Sequence, residues 1–231
     1  ILTLAAFSTA EAQDCLDYSE FYPDIAPIGL RIHGSGNAET VFQSENILYV
    51  ATDSALQLFD VTNPDLPVYL SKIDLLATAL ITVGNSLYVG SDEGWLMVVD
   101  VSDPESPGEP TEIPLTEGVM DFSLQDNHLF VATGWNVGGL LILDVTNPAS
   151  PQRKGQAVGA LGFNLCVDQQ RAYLISPSID DGNSYLTAIS LVDLNDPQII
   201  GSAGFQGRCM SAGIVDQMIF AATAEMGVRV I

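Results

Sequence analysis

The sequence predicts an all-β fold, a β-propeller of five four-stranded blades. Three observations predict it. First, a motif recurs about every 40–50 residues: Asp60-Val61-Thr62-Asn63-Pro64, Asp100-Val101-Ser102-Asp103-Pro104, Asp144-Val145-Thr146-Asn147-Pro148 and, more loosely, Asp193-Leu194-Asn195-Asp196-Pro197. A second motif keeps step with it, as in Asn46-Ile47-Leu48-Tyr49-Val50, Asn85-Ser86-Leu87-Tyr88-Val89 and Asn127-His128-Leu129-Phe130-Val131. Looser copies begin at Gln170 and Gln217. Second, each unit holds about four short apolar runs separated by Gly, Asn, Asp or Pro. These runs are too short and too β-branched for helices, and no segment keeps a period of 3.6. Third, the third run of each unit is apolar at nearly every position, as in Leu140-Leu141-Ile142-Leu143. Such a strand is covered on both faces, as when sheets are sandwiched between neighbours. A β-solenoid fits less well, because one unit here holds four strands with reversing turns.

The elements follow in order. Residues 1–13, ILTLAAFSTAEAQ, read as the tail of a secretory signal peptide, with Ala10-Glu11-Ala12 as the small-residue cleavage pattern. Residues 14–24 form a lead-in, and residues 25–231 form the propeller domain. There is no initiator Met and the last run, Gly227-Val228-Arg229-Val230-Ile231, is apolar, so one or both ends are expected to be cut short. A longer parent would carry more blades. Blades 1 to 4 are expected near 39–73, 78–115, 119–157 and 161–204. Blade 5 has strands near 210–215, 217–223 and 227–231. Its fourth strand is expected from residues 25–32, which resemble Leu66–Ile73, because mixing strands from both termini removes an open edge.

The repeated Asp60, Asp100, Asp144 and Asp193 are read as turn devices. A carboxylate at a strand end accepts the N–H two residues on, and a proline further along starts an outer strand where an edge tolerates it. A catalytic carboxylate would be needed once, not four times.

The runs Gly94-Trp95-Leu96-Met97-Val98-Val99-Asp100-Val101 and Gly139-Leu140-Leu141-Ile142-Leu143-Asp144-Val145, each followed by N/D-P-x-x-P, resemble the LVIVD repeat. The resemblance spans roughly residues 40–231. It implies exported bacterial or archaeal surface proteins, some with C-terminal anchoring signals. It implies no reaction and no catalytic residue. Blade 4 departs from it, with a longer polar stretch before Leu191-Val192-Asp193-Leu194.

Composition narrows the function. The chain has 231 residues and a net charge of −22, with 29 acidic and 7 basic side chains. Such a charge repels phosphate backbones and anionic lipid surfaces, which argues against nucleic acid and membrane-surface partners. No apolar run is long enough to span a bilayer. Lysine occurs only at Lys72 and Lys154, and so acidic a surface suits salty water. The odd cysteine count, Cys15, Cys166 and Cys209, leaves two readings: a Cys15–Cys209 bridge, or three buried or free thiols.

In a repeat protein, departures from the repeat carry information. The loops joining second to third strands lengthen in blade 3 (Gly134–Gly138) and blade 4 (Pro177–Ser184), thickening one face. Loops entering the innermost strands share that face and bring His33 and Arg208. One face is therefore expected to gather His33, Trp135, Asp180, Asp181, Tyr185 and Arg208 as a ligand-binding site, with Trp135 as a stacking surface. The alternative is ordinary polar loops. The acidic 180–184 stretch lacks the order of a calcium loop, and His33 and His128 fall on opposite faces, so no metal is expected. Dinucleotide, P-loop and Gly-x-Ser-x-Gly fingerprints are absent, and no cofactor is expected. The expected function is a secreted or cell-surface binding or scaffolding module for an extracellular protein or glycan. The alternative is a propeller hydrolase or lyase acting on an extracellular glycan. It would use His33 and a pair of acids among Asp74, Glu117, Asp180 and Asp181.

Overall fold

The computed structural model describes residues 38–134, 138–178, 181–224 and 226–231. The leader, the lead-in, residues 25–32, Cys15, His33, Trp135 and Asp180 lie outside them. The described chain forms nineteen β-strands and no helix, so none of its segments is a helix able to cross a membrane.

The strands fall into five antiparallel sheets in chain order, the blades of a propeller. Blade 1 is β1 (Ala38–Ser44), β2 (Ile47–Thr52), β3 (Leu56–Asp60) and β4 (Val68–Ile73). Blade 2 is β5 (Ala79–Val83), β6 (Ser86–Gly90), β7 (Trp95–Asp100) and β8 (Thr111–Pro114). Blade 3 is β9 (Gly118–Gln125), β10 (His128–Gly134), β11 (Gly139–Asp144) and β12 (Gln152–Val158). Blade 4 is β13 (Asn164–Val167), β14 (Arg171–Pro177), β15 (Asn183–Ser190) and β16 (Gln198–Gln206). Blade 5 has three strands among the described residues, β17 (Cys209–Val215), β18 (Met218–Thr223) and β19 (Gly227–Val230).

Two-residue turns join the first two strands of several blades. Their first residues, Glu45, Gly84, Asp126 and Asp216, have φ of +51°, +57°, +52° and +49°. This left-handed geometry matches the twist of a tight hairpin. Only Gly84 adopts it without a Cβ penalty.

The cores lie between blades, as continuous apolar runs demand. Leu56 and Leu58 of blade 1 pack with Leu87 and Val99 of blade 2. Leu96 of blade 2 packs with Leu129 and Leu143 of blade 3, and Ile142 of blade 3 with Leu174 and Ile189 of blade 4. Each fully buried leucine contributes roughly 1.5–3 kcal/mol of hydrophobic free energy. Blade 5 differs. Cys209, Ile219 and Ala221 pack on blade 4, while Val215, Phe220, Val228 and Val230 of the same sheet are exposed.

Polar stitches cross the same gaps. The Thr82 hydroxyl donates to Ser44 Oγ at 2.8 Å between blades 2 and 1. One series repeats. The Ser71 hydroxyl of blade 1 donates to Pro104 O of blade 2 at 2.6 Å, and the Tyr88 hydroxyl of blade 2 donates to Pro148 O of blade 3 at 2.6 Å. In blade 3 the backbone itself closes in, because a Cβ on Gly155 would collide with Leu194 O of blade 4. The same turn carbonyl thus faces the preceding blade three times.

The turn aspartates act locally. Asp60, Asp100 and Asp144 each accept, through Oδ1, the N–H two residues on, from Thr62 at 2.7 Å, Ser102 at 2.9 Å and Thr146 at 3.0 Å. The next residue then donates across to the first hairpin: Val61 to Asn46 O, Val101 to Asn85 O and Val145 to Asn127 O.

Blade 4 corrects the register read from sequence. There Leu191 donates to Gln170 O, so Ser190 stands where the other blades have the first aspartate. Its hydroxyl lies 3.5 Å from Val192 N. Asp193 occupies the later position of Asn63 and Asp103. All three accept the N–H two residues on, and their carbonyls accept the N–H three residues on. Pro197 therefore matches Pro151 rather than Pro148, which the shared spacing of Asp, Asn or Asp, and Pro conceals.

Candidate functional site

Backbone hydrogen bonds gather two kinds of loop at one end of the blades. The loops entering each first strand meet the loops joining second and third strands. Val119 N donates to Ser91 O at 2.8 Å, Gly162 N to Thr133 O at 3.3 Å and Ala224 N to Arg208 O at 2.9 Å. The described residues of the sequence-predicted site lie at this end.

Of its six residues, Asp181, Tyr185 and Arg208 are described. The structure brings Asp181 and Tyr185 together: the Tyr185 hydroxyl donates to Asp181 Oδ2 at 3.0 Å. Asn183 N donates to Asp181 Oδ1 at 3.0 Å. That amide first, then the Ser178 hydroxyl, holds the Asp181 carboxyl down at about 2. The Tyr185 ring lies across the bare backbone of Gly204, where a Cβ would sit 3.3 Å from it. A cleft of about 250 Å³ opens there beside Asn183, Phe205 and Gln206.

Ser184 links this corner to the Arg208 loop. Its hydroxyl donates to Gly207 O at 2.9 Å and accepts Cys209 N at 2.8 Å. Arg208 is exposed between these two anchors. The ends of the longer blade 4 loop are strand, at Pro177 and at Asn183 and Ser184. β14 runs to Pro177 and pairs it with Ser184 of β15.

Sequence reasoning missed a second cleft at the same end. About 240 Å³ in volume, it lies between Leu115, Thr116 and Glu117, which leave blade 2, and β11 and β12 of blade 3. Glu117 Oε2 is buried there with no hydrogen-bond partner. Across the cleft, Arg153 Nη2 donates to Pro114 O at 3.0 Å. Gly138 and Gly139 leave one wall as bare backbone. A Cβ on Gly139 would collide with Ala157 O, and Gly138 sits at φ +28° with Thr133 O 2.6 Å from where its Cβ would be. The signal in the sequence was the double glycine after the blade 3 loop. Its partners Glu117 and Arg153 are far apart in the chain.

The three described acids weighed for catalysis stand in loops of different blades. Asp74 pairs with Lys72 at 2.7 Å on the surface, Glu117 faces the blade 2–3 cleft and Asp181 holds Tyr185. Among the described residues, no group of three or more His, Cys, Asp or Glu is arranged to hold a metal. Cys166 and Cys209 are buried free thiols, and the Cys15 of the expected Cys15–Cys209 bridge lies outside the described residues. Burial pushes the Cys166 thiol up to about 11 and also raises that of Cys209, so both stay protonated and unreactive at neutral pH.

The model of the LVIVD repeat matches residues 35–74, 77–112 and 118–157, together half of the chain. The chain belongs to the LVIVD repeat family. No curated protein matches it in sequence. Among solved structures, this LVIVD-repeat chain is similar to the computationally designed Ika8 protein, with a TM-score of 0.60 and 12% identity over 82% of this chain and 56% of that one. It is also similar to the Pan2 WD40 domain of Neurospora crassa, with a TM-score of 0.61 and 15% identity over 84% and 60% of the two chains. BamB from Moraxella catarrhalis matches with a TM-score of 0.55 and 14% identity over 86% and 71%. At these identities the likeness shows the fold alone. The LVIVD-repeat chain spans 56% and 60% of the lengths of the first two.

Proposed function

We propose that this LVIVD-repeat chain is a secreted or cell-surface binding module whose ligand is an extracellular protein or glycan. One observation carries the reading. The loop end of the propeller holds an open cleft between blades 2 and 3 whose wall is bare backbone and whose buried carboxylate oxygen has no partner. Clefts with an apolar lining and a few convergent polar groups are the usual form of a ligand site. Export rests on the leader-like residues 1–13.

The test uses the whole chain on glycan and peptide arrays, with bound ligand recovered and weighed by mass spectrometry. Saturable binding with the ligand returned intact is expected. Cleaved ligand would overturn the reading in favour of a hydrolase or lyase. Fractionation of the source cells checks export, and a purely cytoplasmic pool would remove that part of the proposal.

A further inference from the structure

The blade 2–3 cleft permits a narrower statement, which rests on the binding-module reading above. We propose that this cleft holds one neutral sugar ring of a glycan, with Glu117 accepting its hydroxyls, Arg153 donating to its oxygens and Gly138-Gly139 forming the floor.

The argument starts from Glu117. A carboxylate oxygen shielded from water with no donor costs free energy, which a ligand hydroxyl recovers once Glu117, a lining residue of the cleft, turns that oxygen into it. Its neighbours cannot supply that donor, since Glu117 Oε2 has no partner within the protein. Arg153 is exposed and gives one hydrogen bond to Pro114 O, which uses one of its five N–H donors. Glu117 and Arg153 line one cleft yet form no ion pair with each other. The cleft therefore presents an acceptor and a donor at once, and a ring bearing vicinal hydroxyls meets both. Leu115, Leu140 and Ala157 supply the apolar part of the lining, suited to the C–H face of such a ring.

Size and charge narrow the class. A volume of about 240 Å³ falls below the range of drug-sized pockets, ~300–1,000 Å³, and suits a single ring. A net charge of −22 works against acidic sugars. Gly138 and Gly139 line the cleft as bare backbone, which at Gly139 the paired strand imposes, because any side chain there would strike Ala157 O.

The test is ligand-observed NMR and calorimetry on the full chain. The probes are methyl glycosides of neutral hexoses, glucuronic acid and n-butylammonium. At least one neutral hexoside is expected to bind, with at least tenfold weaker binding in Glu117→Gln and Arg153→Gln and unchanged melting temperatures in both. Glucuronic acid is expected to bind at least tenfold more weakly than that hexoside. Three results would overturn the inference: no hexoside binds, n-butylammonium binds in their place, or hexoside binding persists in both variants. In the third case the sugar sits elsewhere, and the binding-module reading survives while this site does not.

Discussion

Asp121 Oδ2 accepts the amide proton of Leu165 at 2.8 Å, joining the first strand of blade 3 to the first strand of blade 4. Its other oxygen accepts Phe122 N–H at 2.8 Å. Burial nevertheless raises this carboxyl from 3.8 to about 6, outweighing the two amides. Folding therefore favours the protonated form. The stability it contributes is full below about pH 4 and is lost as pH rises through about 6. The loss is on the order of 2 kcal/mol, since a unit of pKa is worth about 1.4 kcal/mol and the residue keeps some solvent contact. Asp60, Asp100, Asp144, Asp181 and Asp193 act in the opposite sense. Their hydrogen bonds lower their carboxyls, so their contribution is present above about pH 4 and fades in stronger acid. Melting temperature should peak near pH 4 to 5. In Asp121→Asn the decline between about pH 4 and 6 should flatten, at a lower overall stability because an amide oxygen replaces two acceptors. A variant that keeps the wild-type slope would show that Asp121 does not cause it.

Ser190 stands where blades 1 to 3 have aspartate, with its hydroxyl 3.5 Å from Val192 N. Ser190→Asp should supply the shorter bond seen at Asp144 and stabilise the chain by about 0.5–1 kcal/mol. Asp144→Ala should destabilise the chain, because it frees Thr146 N and its hydroxyl together. Chemical denaturation of both variants measures the two signs. Equal signs would contradict the structural alignment of blades 3 and 4.

Gly155 and Gly201 are equivalent positions in blades 3 and 4, facing Ile142 and Ala188 in the ladders. Only Gly155 has a neighbour: Leu194 O blocks its Cβ, whereas a Cβ on Gly201 meets nothing within 4 Å. Gly155→Ala should destabilise by about 1–3 kcal/mol through overpacking. Gly201→Ala should be neutral or mildly stabilising, since alanine lowers the entropy of the unfolded chain. Similar melting shifts in the two variants would remove blade-to-blade packing as the cause.

The charge of −22 should make stability depend on salt. Screening weakens repulsion among exposed carboxylates within roughly 10 Å at 0.1 M ionic strength. Melting temperature should rise on going from low to molar sodium chloride. A flat profile would leave the acidity to the turns, where Asp60, Asp100 and Asp144 already use it.

Much of this architecture is legible because its determinants are close in sequence. The first-strand hairpins need two turn residues, and each Asx turn needs an acceptor and an amide two positions apart. A repeated word therefore displays the whole device. The blade 4 register was misread because Asp193 imitates the first aspartate while performing the second turn. Leu191 bonding Gln170 O and Asp196 bonding Asp193 O separate the two readings. The cleft was not legible, because Glu117, Gly139 and Arg153 belong to different strands and loops and meet only through tertiary packing. Asp121 left a fainter trace, a lone carboxylate inside Val119-Met120-Asp121-Phe122.

The carbonyls of Pro104, Pro148 and Leu194 all point back at the blade before them. The assembly is therefore directional, like a row of links that each carry one hook. A copy spliced in after blade 1, 2 or 3 brings its own hook and finds a receiver already built. Lengthening by tandem gene duplication then requires no newly invented contact, only tolerance at the receiving side, where a serine, a tyrosine and a glycine have each proved sufficient.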